Sequence, residues 1–281
     1  MTLNNLLQGI PLLEVIGDMN INISSIQFDS RKIQTGNVFV AIRGTSVDGH
    51  QFIPSAIEKG AVAIVCEEYP VKLNPNVTYV KVENSAEVLG KIACAWFGFP
   101  SSKLILVGVT GTNGKTTVAT LLYQTFRKLG CKAGLLSTVR NYIDEIPMEV
   151  THTTPDPLEL NEYLAKMVEA GCQYAFMEVS SHAIDQRRIA GLEFKGGIFT
   201  NLTRDHIDYH LTFENYLKAK KRFFDDLPST AFALTNLDDK NGLVMVQNTK
   251  ASIHTYSLYH LADFKTKIIE QSWEGMLLEM N

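Results

Sequence analysis

Leu104-Ile105-Leu106-Val107-Gly108-Val109-Thr110-Gly111-Thr112-Asn113-Gly114-Lys115-Thr116-Thr117 is the stretch on which the fold turns. Leu104 to Val107 is a continuous apolar run, as a strand buried on both faces requires. A helix is predicted from about Thr116 to Leu129, ended by Gly130. A strand, a glycine-containing loop and a helix N-terminus present converging backbone N–H groups and the positive end of a helix dipole, which together hold phosphate. Lys115 suits the β- and γ-phosphate oxygens, and the Thr116 hydroxyl suits Mg²⁺. The spacing G-x-x-x-x-G-K-[ST] asks for glycine at 109, where Val109 stands. The bland alternative is a glycine turn capping a helix beside a solvated lysine; the strand before and the helix after favour nucleotide phosphate.

Strand–helix alternation continues downstream. Strands are expected near Ala133–Leu136, Tyr174–Val179, Ile198–Thr200, Ala231–Thr235 and Ser252–Tyr256, with helices over Pro157–Glu169 and Phe213–Leu227. This pattern predicts a mostly parallel, doubly wound sheet over residues 103–281. Trp273 to Met280 reads as one more strand, with nothing following to cover its apolar residues. Upstream, Val38–Ile42, Ala61–Val65 and Thr78–Val82 read as buried strands, and Gln51–Gly60 and Ser85–Phe97 as helices, with Ser85 at an N-cap. Gly98 to Ser102 breaks the pattern, so residues 1–98 form a separate, small mixed α/β domain.

Composition excludes several classes. With 26 Lys and Arg against 30 Asp and Glu, the net charge of −4 gives no electrostatic reason to expect nucleic acid or an anionic membrane as partner. Apolar runs are far shorter than the roughly 18–20 residues a membrane span needs. Met1 to Ile10 lacks the pattern of a signal peptide. Cys66, Cys94, Cys131 and Cys172 are scattered without metal spacing, so buried free thiols in a reducing cytoplasm are expected.

Four further segments carry candidate chemistry. Glu178, in Met177-Glu178-Val179-Ser180-Ser181-His182, stands near the carboxyl end of a strand, where a carboxylate beside a phosphate loop suits Mg²⁺. Asp205 and His206 crowd the loop Thr200 to His210; taken alone, a surface histidine is the better reading. Lys218-Ala219-Lys220-Lys221-Arg222 reads as a solvated basic face, unless a lysine there pairs with phosphate or takes up CO₂ as a carbamate ligand. Thr151-His152-Thr153-Thr154-Pro155-Asp156-Pro157 offers hydroxyls ahead of a helix.

These signals occur together in the order found in the Mur ligases of peptidoglycan synthesis. The chain resembles that family from Asp29-Ser30-Arg31 to Asn236-Leu237-Asp238-Asp239, with Thr153-Thr154, Met177 to His182, Gln186-Arg187-Arg188 and Thr200 to His210 the selective stretches. The resemblance implies an ATP-dependent amide-bond ligase that adds the third amino acid, meso-diaminopimelate or L-lysine, to UDP-N-acetylmuramoyl-L-alanyl-D-glutamate through an acyl-phosphate. It implies that Gly111, Thr112, Asn113, Gly114, Lys115, Thr116 and Thr117 bind ATP. Thr116 and Glu178 would ligate one Mg²⁺, and His206 with a carbamate on Lys220 a second, making Lys115, Glu178, His206 and Lys220 the catalytic set. Substrate contacts fall on Ser30, Thr45, Ser46, Val47, Thr153, Thr154, Ser180, Gln186 and Arg188; His152 stands where some members carry asparagine. A third, C-terminal domain that recognises the amino acid is expected to lie outside these residues, so this fragment alone would not complete turnover. A folylpolyglutamate synthetase-like ligase and a non-catalytic nucleotide- or UDP-sugar-binding module are the alternatives.

Overall fold

The computed structural model describes residues 1–44, 47–148, 154–273 and 275–280. The chain forms two compact units. The first comprises Met1–Phe99 with two later segments, Asp156–Glu162 and Gln186–Leu192; the second comprises Pro100–Pro155, Tyr163–Asp185 and Glu193–Asn281.

In the first unit, α1 (Leu3–Leu6), β1 (Glu14–Ile16), β2 (Ser25–Gln27), β3 (Asn37–Val40), α2 (Ile53–Glu58), β4 (Ala63–Cys66), β5 (Thr78–Lys81) and α3 (Ser85–Trp96) follow in order. The sheet runs β1-β5-β4-β3-β2, parallel except for β1. Val38, Val40, Ala63 and Val65 face a cluster with Leu3, Leu6, Leu89 and Ile92, while Phe39, Ile64 and Tyr79 face Ile53 and Ala56. Both faces are covered, which is why these strands read as unbroken apolar runs. The cap of α3 is Asn84, whose side chain accepts from Glu87 N at 2.8 Å, and not Ser85. Ser85 is buried, and its N–H and hydroxyl both donate to Glu67 Oε1 at 3.0 Å.

The second unit holds β6 (Ile105–Thr110), α4 (Lys115–Lys128), β7 (Ala133–Leu136), β8 (Asn141–Ile143), β9 (Ile146–Met148), α5 (Pro157–Glu169, whose first residues belong to the first unit), β10 (Tyr174–Glu178), α6 (Ser181–Asp185), β11 (Gly196–Phe199), α7 (Ile207–His210), α8 (Phe213–Asp225), β12 (Phe232–Asn236), α9 (Gly242–Val246), β13 (Ser252–Ser257), β14 (Phe264–Ser272) and β15 (Gly275–Met280). Among the described residues, ten strands run β15-β14-β13-β12-β11-β6-β10-β7-β8-β9, parallel from β14 to β7 with antiparallel edges. Val107, Val109, Leu135, Phe176 and Ile198 pack with Ala119 and Tyr123 of α4. Gly108 and Gly197 leave room for Phe223 of α8: a Cβ at either would lie within 3.0 Å of its ring. Helices therefore cover both faces, as the alternation predicts. β6 lies between β10 and β11, with Val109 opposite Glu178 and Thr110 opposite Phe199, so the loops after all three strands open on one edge. Such a crevice is where open α/β sheets bind ligands.

The strand read at Trp273–Met280 begins at Gly275 and pairs with β14, a partner whose alternating charges hid it from the sequence reading. Met276, Leu277 and Leu278 are exposed. All four cysteines are free; Cys66, Cys94 and Cys172 are buried as expected, but Cys131, just past the end of α4, is only half-buried. No helix among the described residues is long and apolar enough to cross a membrane.

Candidate active site

The loop between β6 and α4 turns at two glycines. Gly111 has φ +152°, and a Cβ there would stand 1.9 Å from Thr200 Oγ1; Gly114, at φ +85°, caps α4 in the left-handed region. The glycine missing at 109 is thus supplied later, because Val109 still belongs to the strand and packs in its core. Thr200 and Asn201, following β11, hold the loop. Thr112 N donates to Asn201 O at 2.8 Å and Asn113 N to Asn201 Oδ1 at 3.0 Å, while Thr200 Oγ1 donates to Asn113 O at 2.6 Å. Those two amides are therefore committed within the protein. The amides aimed outward are those of the first turn of α4, which helix geometry leaves without an intrahelical acceptor until Val118 N reaches Gly114 O at 2.9 Å. Thr116 and Thr117 lie in that turn.

Two lysines reach the loop from different helices. Lys115 Nζ donates to Gly111 O (3.0 Å) and Thr112 O (2.9 Å), and Lys220 Nζ donates to Gly111 O at 2.8 Å. Burial lowers the Lys115 ammonium, partly offset by the carboxylates of Glu178 and Asp205. Lys220 is 1% exposed, and burial, with Lys115 beside it, pushes it down to about 7. The solvated-face reading of the basic run holds only for Lys218; Lys221 is also buried and pairs with Asp225 at 2.5 Å. Glu178 is buried at the end of β10, and its Oε1 accepts from Thr138 N at 2.7 Å. Thr138 Oγ1 lies 3.1 Å from its other oxygen, so both oxygens are fixed.

The loop after β11 leads to His206, whose backbone is left-handed at φ +52°, a strained conformation for histidine. Its amide donates to Asp205 Oδ1 at 2.8 Å, and its ring stands edge-on to His182 with centroids 4.8 Å apart. Buried His210, lowered by desolvation, contacts Ser181 Oγ through Nε2 at 3.0 Å. Tyr216 lies under Lys220, with Nζ 4.9 Å from the ring centroid. Burial pushes its phenol up to about 12.

Lys115, Glu178, Asp205, His206 and Lys220 are therefore gathered at one sheet edge. Thr154 and Ser180 lie beside Glu178: Thr154 Oγ1 donates to Glu178 O at 3.1 Å, and Ser180 Oγ accepts from Ala183 N at 3.1 Å. Other expected residues belong to the first unit. Ser30 is buried there and its carbonyl accepts from Lys59 Nζ at 2.9 Å; neighbouring Asp29 is held down to about 2, chiefly by its hydrogen bond with Arg31. Gln186 and Arg188 are joined by a 2.6 Å bond, and Val47 is exposed. Thr45, Ser46, His152 and Thr153 lie outside the described residues. Sequence reasoning missed Thr138, Asn201 and Tyr216. Their side-chain types carry no catalytic signal, although Asn201 sits inside a stretch already singled out.

A model described as the Mur ligase middle domain matches residues 109–281. The chain belongs to the Mur ligase family. A second model, the Mur ligase family catalytic domain, matches residues 22–97. Among Mur ligases, the Phocaeicola vulgatus protein named UDP-N-acetylmuramoyl-L-alanyl-D-glutamate--2,6-diaminopimelate ligase is 63% identical over all 281 residues, which span 58% of its length. A solved structure bearing the same enzyme name superposes with a TM-score of 0.81 at 25% identity, covering 100% of this chain and 57% of that one. A Mycobacterium tuberculosis folylpolyglutamate synthase shares the fold over 69% of this chain and 51% of its own, with a TM-score of 0.56 at 15% identity.

Proposed function

We propose that this chain provides the UDP-sugar-binding and ATP-binding parts of the cytoplasmic ligase that joins diaminopimelate to UDP-N-acetylmuramoyl-L-alanyl-D-glutamate. The observation that carries the reading is the meeting of Lys115, Glu178 and Lys220 at one phosphate-type loop. The names borne by its relatives favour diaminopimelate over lysine. A free carboxylate is a poor acyl donor. ATP activates it: a carboxylate oxygen takes the γ-phosphoryl group, ADP leaves, and the amine then displaces phosphate from the acyl-phosphate. Such transfer needs positioning and charge neutralisation more than a side-chain nucleophile.

The first turn of α4 and Lys115 bind and neutralise the phosphates. Among the described residues no three His, Cys, Asp or Glu side chains group as a metal cage. Thr116 and Glu178 fit Mg²⁺, an ion commonly held by one or two carboxylates together with phosphate oxygens. His206 and a carbamate on Lys220 would hold a second Mg²⁺; the metal supplies charge neutralisation at the transferred group. Burial favours the neutral form of the Lys220 amine, the form that takes up CO₂. Its lone pair would add to CO₂ with loss of a proton to water, giving the carbamate. Ser30 and Val47, with Thr45 and Ser46, are assigned to the UDP-sugar; Thr153, Thr154 and Ser180, with Gln186 and Arg188, are assigned to the rest of the substrate.

The test is ADP release by a protein of the relatives' full length carrying these residues. Release that requires both the UDP-muramoyl dipeptide and diaminopimelate supports the reading. Turnover of folate with glutamate, or none with the muramoyl substrate, overturns it.

A further inference from the structure

Tyr216 and Lys220 are four residues apart on α8 and share one face of it. Tyr216 is fully buried, and its hydroxyl is 3.1 Å from Thr112 Oγ1 in the phosphate-type loop. That threonine already accepts from Thr203 N at 2.9 Å and donates its single proton to Thr203 O at 3.2 Å. One acceptor position remains on Thr112, so the phenol is the donor. The same ring lies 4.9 Å below Lys220 Nζ, and its centroid is 6.1 Å from that of His206. A phenylalanine would fill the same volume and keep the cation–π contact, so filling the core does not account for the hydroxyl.

We infer that Tyr216 is a positioning residue for ATP: its hydroxyl ties the Thr112 turn to α8 while its ring seats Lys220. The inference deepens the ligase reading and rests on it. Thr112 sets where the Gly111 carbonyl points, and that carbonyl seats both lysines. Loss of the phenol proton therefore displaces the groups that meet phosphate without emptying the core.

The test is calorimetric binding of Mg·ATP to this chain and to Y216F, T112V, the double variant and K115A, with the melting temperature of each. The expected result is that Y216F binds roughly three- to tenfold more weakly, the range one net hydrogen bond allows. Its melting temperature should stay near the parent's, and the change should add nothing in the T112V background. Parental affinity in Y216F, or an equal loss with and without the Thr112 hydroxyl, overturns the positioning role and leaves the ATP reading standing. If the parent does not bind Mg·ATP, or K115A binds as the parent does, the ATP reading falls and this role falls with it. Should Y216F not fold, T112S against T112V reads the same link, and equal affinities overturn it.

Discussion

Lys115 and Lys220 donate to a single acceptor, the Gly111 carbonyl, from the starts and middles of different helices. Burial strips the Lys220 ammonium of water and Lys115 adds repulsion on the same oxygen, so Lys220 loses affinity for its proton. Stability should then depend on pH in a set direction. With a folded value of about 7 against an ordinary value of 10.5, the unfolded chain binds more protons between those limits, so stability rises with pH across that window. Lys220→Met should be more stable than the parent at pH 6–7 by about 1–3 kcal/mol, and the gap should close toward pH 10. Denaturant unfolding at pH 6.5, 8 and 10 measures it, and a gap that ignores pH counts against the assignment.

Gly111→Ala meets two obstacles at once. Its backbone is left-handed, and the new methyl group collides with the Thr200 hydroxyl. A loss of about 1–3 kcal/mol is expected, together with loss of ATP binding. Removing the hydroxyl in Gly111→Ala/Thr200→Ala should restore little, because the backbone strain persists; unfolding curves of the two variants make the comparison.

Glu178→Gln retains an acceptor for Thr138 N–H but removes the charge. The protein should fold normally. ATP affinity in Mg²⁺ should fall by roughly tenfold, while affinity in excess chelator should be unchanged. Titration under the two conditions separates a metal ligand from a general phosphate contact: a loss of equal size in both would assign Glu178 elsewhere.

In the first unit, the His50 ring joins the turn capped by Asp48 to the end of β4. Nδ1–H donates to Asp48 Oδ1 at 2.6 Å, and Nε2 accepts from Glu67 N at 2.9 Å. One neutral tautomer satisfies both bonds. His50→Leu should destabilise the chain by about 1–2 kcal/mol through the orphaned Glu67 amide. His50→Gln should recover part of this, measured by denaturant midpoints at constant slope.

The alternation of apolar runs with helical periods was enough to read the doubly wound sheet, because buried parallel strands have no polar face to obscure them. Glu178 and the phosphate-type loop were legible for a related reason: the register of β6 and β10 follows from strand pairing, and the loops open where the strands stop. Lys220 and Lys221 were not distinguishable by charge or spacing. Only the packing of α8 shows that both are buried, one against Gly111 and the other against Asp225. Ser85 and Asn84 are both good caps, and the choice between them was made by Glu67, eighteen residues away. The grip of Asn201 on the loop likewise depends on a contact 88 positions distant, which no local pattern encodes.

The first unit recovers two stretches of chain from beyond the second unit's first strands, and it is built around them. A Cβ on Gly90 would come within 2.5 Å of Ala190 O, Glu87 faces Arg187 at 3.9 Å, and Leu158 packs on the core of the first sheet. Genetic recombination at the visible join near Gly98 would therefore separate Gly90, Glu87 and that core from their complements. Exchange of this unit between relatives must carry three pieces of coding sequence together, so its evolution is tied to that of its neighbour.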